Sequence, residues 1–314
     1  MSRTIAVLNA FLRPMLEGRL PDWLDARFFA STDELYALAP EAEIGWFDSF
    51  ELNATYEAAR RAVKLKWLNT LAAGIDPFPL DLLAERKVVF TNGAGLNAIT
   101  IAEYAVMGML VLAKGYRDVM RAQEVHHWLA EAPGKIELFG SRALILGAGG
   151  IGGRIAELLQ PFGVEVTCVR RQPAAGVLLP DQWRDRLGEF DWVIVAVPST
   201  PDTEKMIGAP EFAAMKPGAF LLNFARGAVI DQDALLASSR SGRLGGAFLD
   251  VTDPEPLPAD HPLWSCDNVH VSMHLSGRSQ TTLFARSAER FLTNLERFRD
   301  GEPLVSQVDI KLGY

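Results

Sequence analysis

Cysteine is scarce. The chain of 314 residues holds only Cys168 and Cys266, and neither belongs to a Cys-x-x-Cys pair. That excludes a disulfide framework, a zinc ribbon and a thioredoxin-like motif, so the reading is a reduced, cytoplasmic protein with no metal site. Positive charge is short as well, with 31 Lys and Arg against 39 Asp and Glu and a net charge of -8. This balance argues against a general nucleic-acid or anionic-membrane surface, while leaving room for a local basic pocket. Long apolar runs are missing. The longest, Tyr104 to Ala113, is about half of what a membrane span needs. The opening run Thr4-Ile5-Ala6-Val7-Leu8 soon meets Arg13 and Glu17, and reads as a short strand rather than a secretory signal. Histidine is also rare, with five in the whole chain.

What is present is an ordinary globular composition, 49% apolar and 22% charged. The length suggests two domains. In the first part, Thr4–Leu8, Glu43–Phe47, Trp67–Thr70 and Val88–Thr91 read as strands separated by helical spacing, which predicts a parallel sheet covered by helices. Near residue 100 the pattern changes. Thr100 stands three residues before Glu103, a capping-box spacing, and a long apolar helix follows to about Lys114. The segment His126 to Lys135 reads as irregular.

From Ala143 onward the alternation is clearer. Strands are expected at Ala143–Leu146, Glu165–Val169, Trp192–Val197, Phe220–Phe224, Gly246–Asp250 and Val269–Ser272, a doubly wound sheet. Phe284, Ala288, Phe291, Leu292, Leu295 and Phe298 mark a closing helix, and Gly301 is placed to end it. If the chain returns there to the first domain, that domain is discontinuous.

The loop Gly147-Ala148-Gly149-Gly150-Ile151-Gly152 follows an apolar strand and precedes a helix expected at Arg154–Leu159. A bare GxGxxG could be a glycine-rich turn, but this context is that of a pyrophosphate site. Gly147 permits the turn, Gly149 lets the backbone approach the diphosphate, and Gly152 lets helix and strand pack closely. The N–H groups of Gly150 and Ile151, at the positive end of the helix dipole, are the expected phosphate donors. After the next strand come Arg170 and Arg171, where an NAD site usually has an acidic residue for the ribose. Two cations suit a 2′-phosphate, so NADP is the preferred cofactor and NAD a possible one; the alternative is a solvated basic loop.

Ligands of an open parallel sheet bind beyond the carboxyl ends of its strands. Arg226 follows the predicted strand Phe220–Phe224 there, Asp250 closes the next with Glu255 on the loop after it, and His274 follows the strand Val269–Ser272. Arg226 can hold a 2-oxo acid through its forked donors. His274 can supply a proton to a carbonyl oxygen that receives a hydride, and Glu255 is the candidate to orient it. Each also has a plain alternative: Arg226 as a loop bridge, Glu255 as a surface charge between Pro254 and Pro256, His274 as a structural imidazole.

At this point the residues resemble the D-2-hydroxyacid dehydrogenase family over nearly the whole chain. The likeness is carried by Leu146 to Gly152, by Val197-Pro198 with Pro201 and Thr203, and by Met215-Lys216-Pro217-Gly218-Ala219. It continues through Asn223-Phe224-Ala225-Arg226-Gly227, Leu249-Asp250-Val251, Glu255-Pro256-Leu257-Pro258, Pro262-Leu263-Trp264, Asn268-Val269 and His274. The resemblance implies an α/β chain of two doubly wound parallel-sheet domains. A Rossmann dinucleotide-binding domain (99–279) would be inserted into a flavodoxin-like substrate domain (1–98 and 280–314). It implies catalytic roles for Arg226, Glu255 and His274, and cofactor contacts at Val197, Pro198, Thr203, Ala225 and Asp250, the last to the nicotinamide carboxamide. It implies substrate contacts from the backbone of Ala73 and Gly74 and from Arg226, and a homodimer formed through the cofactor domain. Arg170-Arg171, with Gln307-Val308-Asp309 and Gly313-Tyr314, is similar to the glyoxylate/hydroxypyruvate reductase branch.

The chain departs from the family pattern at Ser272-Met273, where Thr-Pro often precedes the histidine, and at Thr252-Asp253-Pro254. Two other readings stay open. One is a dehydrogenase of another D-2-hydroxy acid or of phosphite. The other is a cofactor-sensing binding protein like the family's transcriptional corepressors.

Overall fold

The computed structural model describes residues 3–49, 51–75, 77–174 and 176–310; Gly313 and Tyr314 lie outside the described residues. Its contacts divide the chain into two units, Met1–Leu96 with Gln280–Tyr314, and Asn97–Ser279.

The first unit is built on five parallel strands: β1 (Thr4–Asn9), β2 (Leu24–Phe29), β3 (Ile44–Trp46), β4 (Trp67–Asn69) and β5 (Val89–Thr91), in the order β2-β1-β3-β4-β5. Successive side chains of β1 alternate between faces. Val7 enters the core formed with Leu68, Phe90 and Phe47, while Ala6 and Leu8 enter a second core with Trp46, Trp67 and Phe291. Both faces are buried, as parallel strands require. The closing helix Leu283–Asp300 supplies Phe291, whose ring stacks on Trp67 at 4.9 Å, and it ends at Gly301 in the left-handed conformation. Val308 N donates to Phe90 O, so the chain's last described stretch lies along β5. Strand β2 was not expected. Its Asp25 and Arg27, paired to each other at 2.8 Å on an edge strand, break the apolar pattern that marks the others.

The second unit carries seven parallel strands: β6 (Arg142–Leu146), β7 (Glu165–Val169), β8 (Val177–Leu178), β9 (Trp192–Val195), β10 (Phe220–Asn223), β11 (Gly246–Leu249) and β12 (Val269–Val271). Their order is β12-β11-β10-β9-β6-β7-β8. The chain winds outward from β6 in one direction, then returns to β9 and winds in the other. The reversal leaves a crevice between β6 and β9 at their carboxyl ends. The α/β class and the two doubly wound parallel sheets are therefore as expected. The edge strand β8 escaped the sequence reading because two residues are too few to show a period.

The long helix is Ala98–Lys114, preceded by Asn97, so Thr100 lies inside its first turn and is not a cap. Thr100 is buried and donates to the carbonyls of Ser276 (3.1 Å) and Ser279 (3.0 Å), which explains why a polar residue stands there. Gly108 of this helix lies so close to Phe248 that a Cβ would be 2.8 Å from the ring. Among the described residues no single helix is long and apolar enough to cross a membrane.

His270, on β12, stacks against Phe248 with centroids 6.5 Å apart. Burial, reinforced by Arg117, holds its pKa down to about 4 from an ordinary 6.5. An unfolded chain therefore binds this proton more readily than the folded one, so stability is lost as pH falls from 6.5 toward 4. Replacing His270 by Phe should flatten the rise of Tm across that window, measured by thermal melts in a pH series. An unchanged slope would place the acid sensitivity elsewhere.

Candidate active site

The glycine loop leaves β6 at the crevice. Gly147 has φ +97°, and a Cβ there would stand 2.6 Å from Ala196 O. Gly147 N and Ala148 N both donate to Val169 O at 3.1 Å, which ties the loop to the end of β7. The helix Gly150–Leu159 then begins with Gly149 as its cap. A Cβ on Gly152 would lie 2.0 Å from Gly147 O, so only glycine permits this contact between helix and loop. The helix starts four residues before the expected Arg154, because the glycines themselves form its first turn. The N–H groups of Gly150 and Ile151 precede the first helical bond, Gly153 N to Gly149 O at 2.8 Å, and find no acceptor among the described residues. They are available to an anion at the positive end of the helix dipole.

Arg170 and Arg171 follow β7. Arg170 N is fixed by Leu178 O at 3.0 Å, and its guanidinium is 3.4 Å from Gln172 Oε1. Among the described residues no carboxylate pairs with Arg170. The side chain of Thr203 is used internally: its hydroxyl donates to Pro198 O at 2.8 Å and accepts from Thr200 N at 2.8 Å. Val197 and Pro198 lie just beyond the end of β9, and Ala225 is buried beside Arg226.

Three further loops carry the polar residues. At the end of β10, buried Asn223 accepts from Ala225 N and donates to Arg226 O, both at 3.0 Å. This small clamp sets the turn that presents Arg226. The guanidinium is half-buried, donates to Ala225 O at 2.9 Å, and has no acidic partner among the described residues. Next to it, Gly227 touches the following loop so closely that a Cβ would be 2.0 Å from the Thr252 carbonyl carbon.

Beyond β11 runs the loop to Glu255. Gln232 grips its backbone: Gln232 Oε1 accepts from Asp253 N at 3.0 Å, and Gln232 Nε2 donates to Asp253 O. Thr252 N donates to Glu255 Oε1 at 3.1 Å. The other carboxylate oxygen, Oε2, lies 2.7 Å from His274 Nδ1. A carboxylate only accepts, so Nδ1 holds the shared proton and Nε2 is left for another partner. Both side chains are partly open, at 40% for His274 and 37% for Glu255.

His274 stands beyond β12 in an unusual backbone. Met273 and His274 both have φ of 55°, a left-handed conformation that non-glycine residues adopt at a cost. Asp250 holds this turn. Its carbonyl accepts from His274 N at 2.5 Å. Its buried carboxylate accepts from Ser272 Oγ at 2.7 Å, from Ser276 N at 3.2 Å and from Ser276 Oγ.

The structure thus places Glu255 against His274, with Arg226 and Asp250 on neighbouring loops of one sheet edge. Ala73 and Gly74 belong to the first unit, in the loop after β4. The sequence alone assigns no role to Asn223, Gln232, Ser272 or Ser276. Ser272 did stand out as a departure from the family pattern, but its bond to Asp250 could not be read from it. Among the described residues no group of three or more His, Cys, Asp or Glu could hold a metal ion.

Known proteins resemble this chain in sequence and in fold. A family model described as the NAD binding domain of D-isomer specific 2-hydroxyacid dehydrogenase matches residues 106–276. Human glyoxylate reductase/hydroxypyruvate reductase is 31% identical over 263 residues, which cover 78% of this chain and 77% of that protein. A crystal structure of a D-isomer specific 2-hydroxyacid dehydrogenase family protein from Aeromonas salmonicida is 31% identical with a TM-score of 0.86, over 99% of this chain and 100% of that one. A D-isomer specific 2-hydroxyacid dehydrogenase from Xanthobacter autotrophicus, solved in complex with NADPH and MES, is 28% identical with a TM-score of 0.80, over 100% of both chains. The chain belongs to the D-isomer specific 2-hydroxyacid dehydrogenase family, whose members are NAD(P)-binding oxidoreductases.

Proposed function

We propose that this protein reduces a small 2-oxo acid, glyoxylate or hydroxypyruvate, to the D-2-hydroxy acid with NADPH. The observation that carries the reading is the 2.7 Å contact between Glu255 Oε2 and His274 Nδ1 on the loops that also present Arg226. In this reading residues 99–279 form the cofactor domain, and residues 1–98 with 280–314 the substrate domain.

The dinucleotide would be held by Gly147, Gly149, Gly150, Ile151 and Gly152, with Val197, Pro198, Thr203, Ala225 and Asp250 along its length. When bound, the reduced nicotinamide supplies the hydride. The chain's own residues supply the rest. Arg226 binds the carboxylate and carbonyl of the substrate and polarises the C=O bond. His274, charged at the start, donates its Nε2 proton to the carbonyl oxygen as the carbon is reduced. Glu255 holds Nδ1–H, which fixes the ring and balances the positive charge before the proton leaves. The backbone N–H groups of Ala73 and Gly74 take the substrate carboxylate.

Arg170 and Arg171 support NADPH over NADH, since they offer cations where an NAD site offers a carboxylate. The human relative named as a glyoxylate reductase/hydroxypyruvate reductase supports the substrate class. A homodimer fits the apolar surface of the second unit, where Trp128 is 93% exposed, Phe139 80% and Val125 74%. Trp128 also lines a cavity of about 820 Å³, with Tyr116, Val119 and Leu129 among others. A second copy of the chain is its occupant in this reading.

His274→Ala should lower kcat by about 10²–10⁴-fold, the usual worth of a general acid, and leave the Kd for NADPH nearly unchanged. Unchanged turnover would remove His274 from the mechanism. If no 2-oxo acid oxidises either cofactor while NADPH binds tightly, the protein is a cofactor-binding protein and not a reductase. The kcat/KM for NADPH should exceed that for NADH by about tenfold or more, and the double change of Arg170 and Arg171 to Ala should erase the difference. A tenfold preference for NADH would reverse the cofactor assignment. Light scattering after size exclusion should give a mass of two chains, and a monomer that stays fully active would rule out the dimer.

A further inference from the structure

Asp48 has no part in the chemistry above, yet it is the most heavily engaged carboxylate of the first unit. It follows β3. Its Oδ2 accepts from Leu71 N and from Trp46 Nε1, and its Oδ1 from Thr70 Oγ1, each at 2.7 Å. Its backbone carbonyl accepts from Asn9 Nδ2 at 2.8 Å. Burial pushes its carboxyl above the usual range, and the three donors counter that shift. No Lys or Arg pairs with it among the described residues. A carboxylate partly withdrawn from water without a cation costs stability, and such groups concentrate at functional positions.

The bonds converge on one loop. Thr70 Oγ1, which donates to Asp48, accepts from Ala72 N at 3.1 Å. Ala72 O accepts from Gly93 N at 2.8 Å, and Ala73 O accepts from Asn92 Nδ2 at 2.7 Å. Gly93 packs so tightly on this loop that a Cβ would be 1.9 Å from Leu71 O. Leu71 N, Ala72 N, Ala72 O and Ala73 O are thus all fixed. The next two donors, Ala73 N and Gly74 N, meet no acceptor among the described residues. They are the same two groups assigned above to the substrate carboxylate.

We propose that Asp48, acting through Thr70 and Leu71, is the positioning residue that aims the Ala73 and Gly74 N–H groups at the substrate carboxylate. This rests on the reading that those two groups bind it. A pair of fixed donors repays a carboxylate only if their direction is held within a fraction of an ångström. Asp48 holds it with charge-assisted bonds, which are shorter and stronger than neutral ones. Thr70 carries the constraint one residue further along the chain than the carboxylate reaches directly.

The test uses the full chain with NADPH. Asp48→Asn should raise KM for glyoxylate about tenfold or more, with kcat at saturation changed less than about threefold and NADPH affinity unaltered. Thr70→Val, which keeps the shape and removes the relay hydroxyl, should shift KM in the same direction, and Thr70→Ser should restore it. A purely structural role would lower Tm and kcat together and leave KM in place, and that result overturns the proposal. Oxalate, added to the NADPH complex of ¹⁵N-labelled protein, separates the two readings. If the Ala73 and Gly74 amide signals do not move in the unaltered protein, the loop is not the carboxylate site and both readings fall. If they move, and oxalate binds Asp48→Asn and Thr70→Val as tightly as before, only the role of Asp48 falls.

Discussion

Parallel strands buried on both faces leave no room for polar chemistry within the sheet. In β9, β10 and β11 every residue is buried. In these three strands hydrogen-bonding side chains stand only at the ends, as Asn223 does. The connections at one edge all follow carboxyl ends, so every loop of that edge faces the same way. The glycine loop, Arg226, Asp250, Glu255 and His274 are consequences of this constraint. So, in the other sheet, are Asp48, Thr70 and the Ala73-Gly74 loop.

Two devices hold such loops. One is close backbone contact, at Gly147, Gly152 and Gly227, where a single added carbon would collide with a neighbouring carbonyl group. The other is a polar side chain bonded to backbone groups, as with buried Asn223 and Asp250 and half-buried Gln232. The two meet around His274. Its left-handed backbone would relax if released, and Asp250 holds it through its carbonyl and, by way of Ser272 and Ser276, through its carboxylate. The imidazole is placed by its neighbours more than by its own backbone preference.

The strands of the second unit were legible because each is a short apolar run between turn residues, and their alternation with helices determined the parallel sheet. Strand β2 was not, because its charges pair within the strand. Thr100 misled because a spacing that makes a cap in an exposed helix here serves a buried bond to the 276–279 turn. For the site, glycine spacing and position after a strand pointed to Gly147, Arg226, Glu255 and His274. Gln232 and Asp48 could not be found that way. Gln232 binds a backbone 21 residues away, and Asp48 one 23 residues away. No local pattern records which backbone a glutamine or an aspartate will reach.

The helix Leu283–Asp300 gives the first unit a late component. Trp46 and Trp67 are made early in synthesis, but the ring they pack against, Phe291, comes after the whole of Asn97–Ser279. On a ribosome the second unit can complete its core while the first still lacks one layer. Until that helix is made, the face of Trp46 and Trp67 that Phe291 covers stays open.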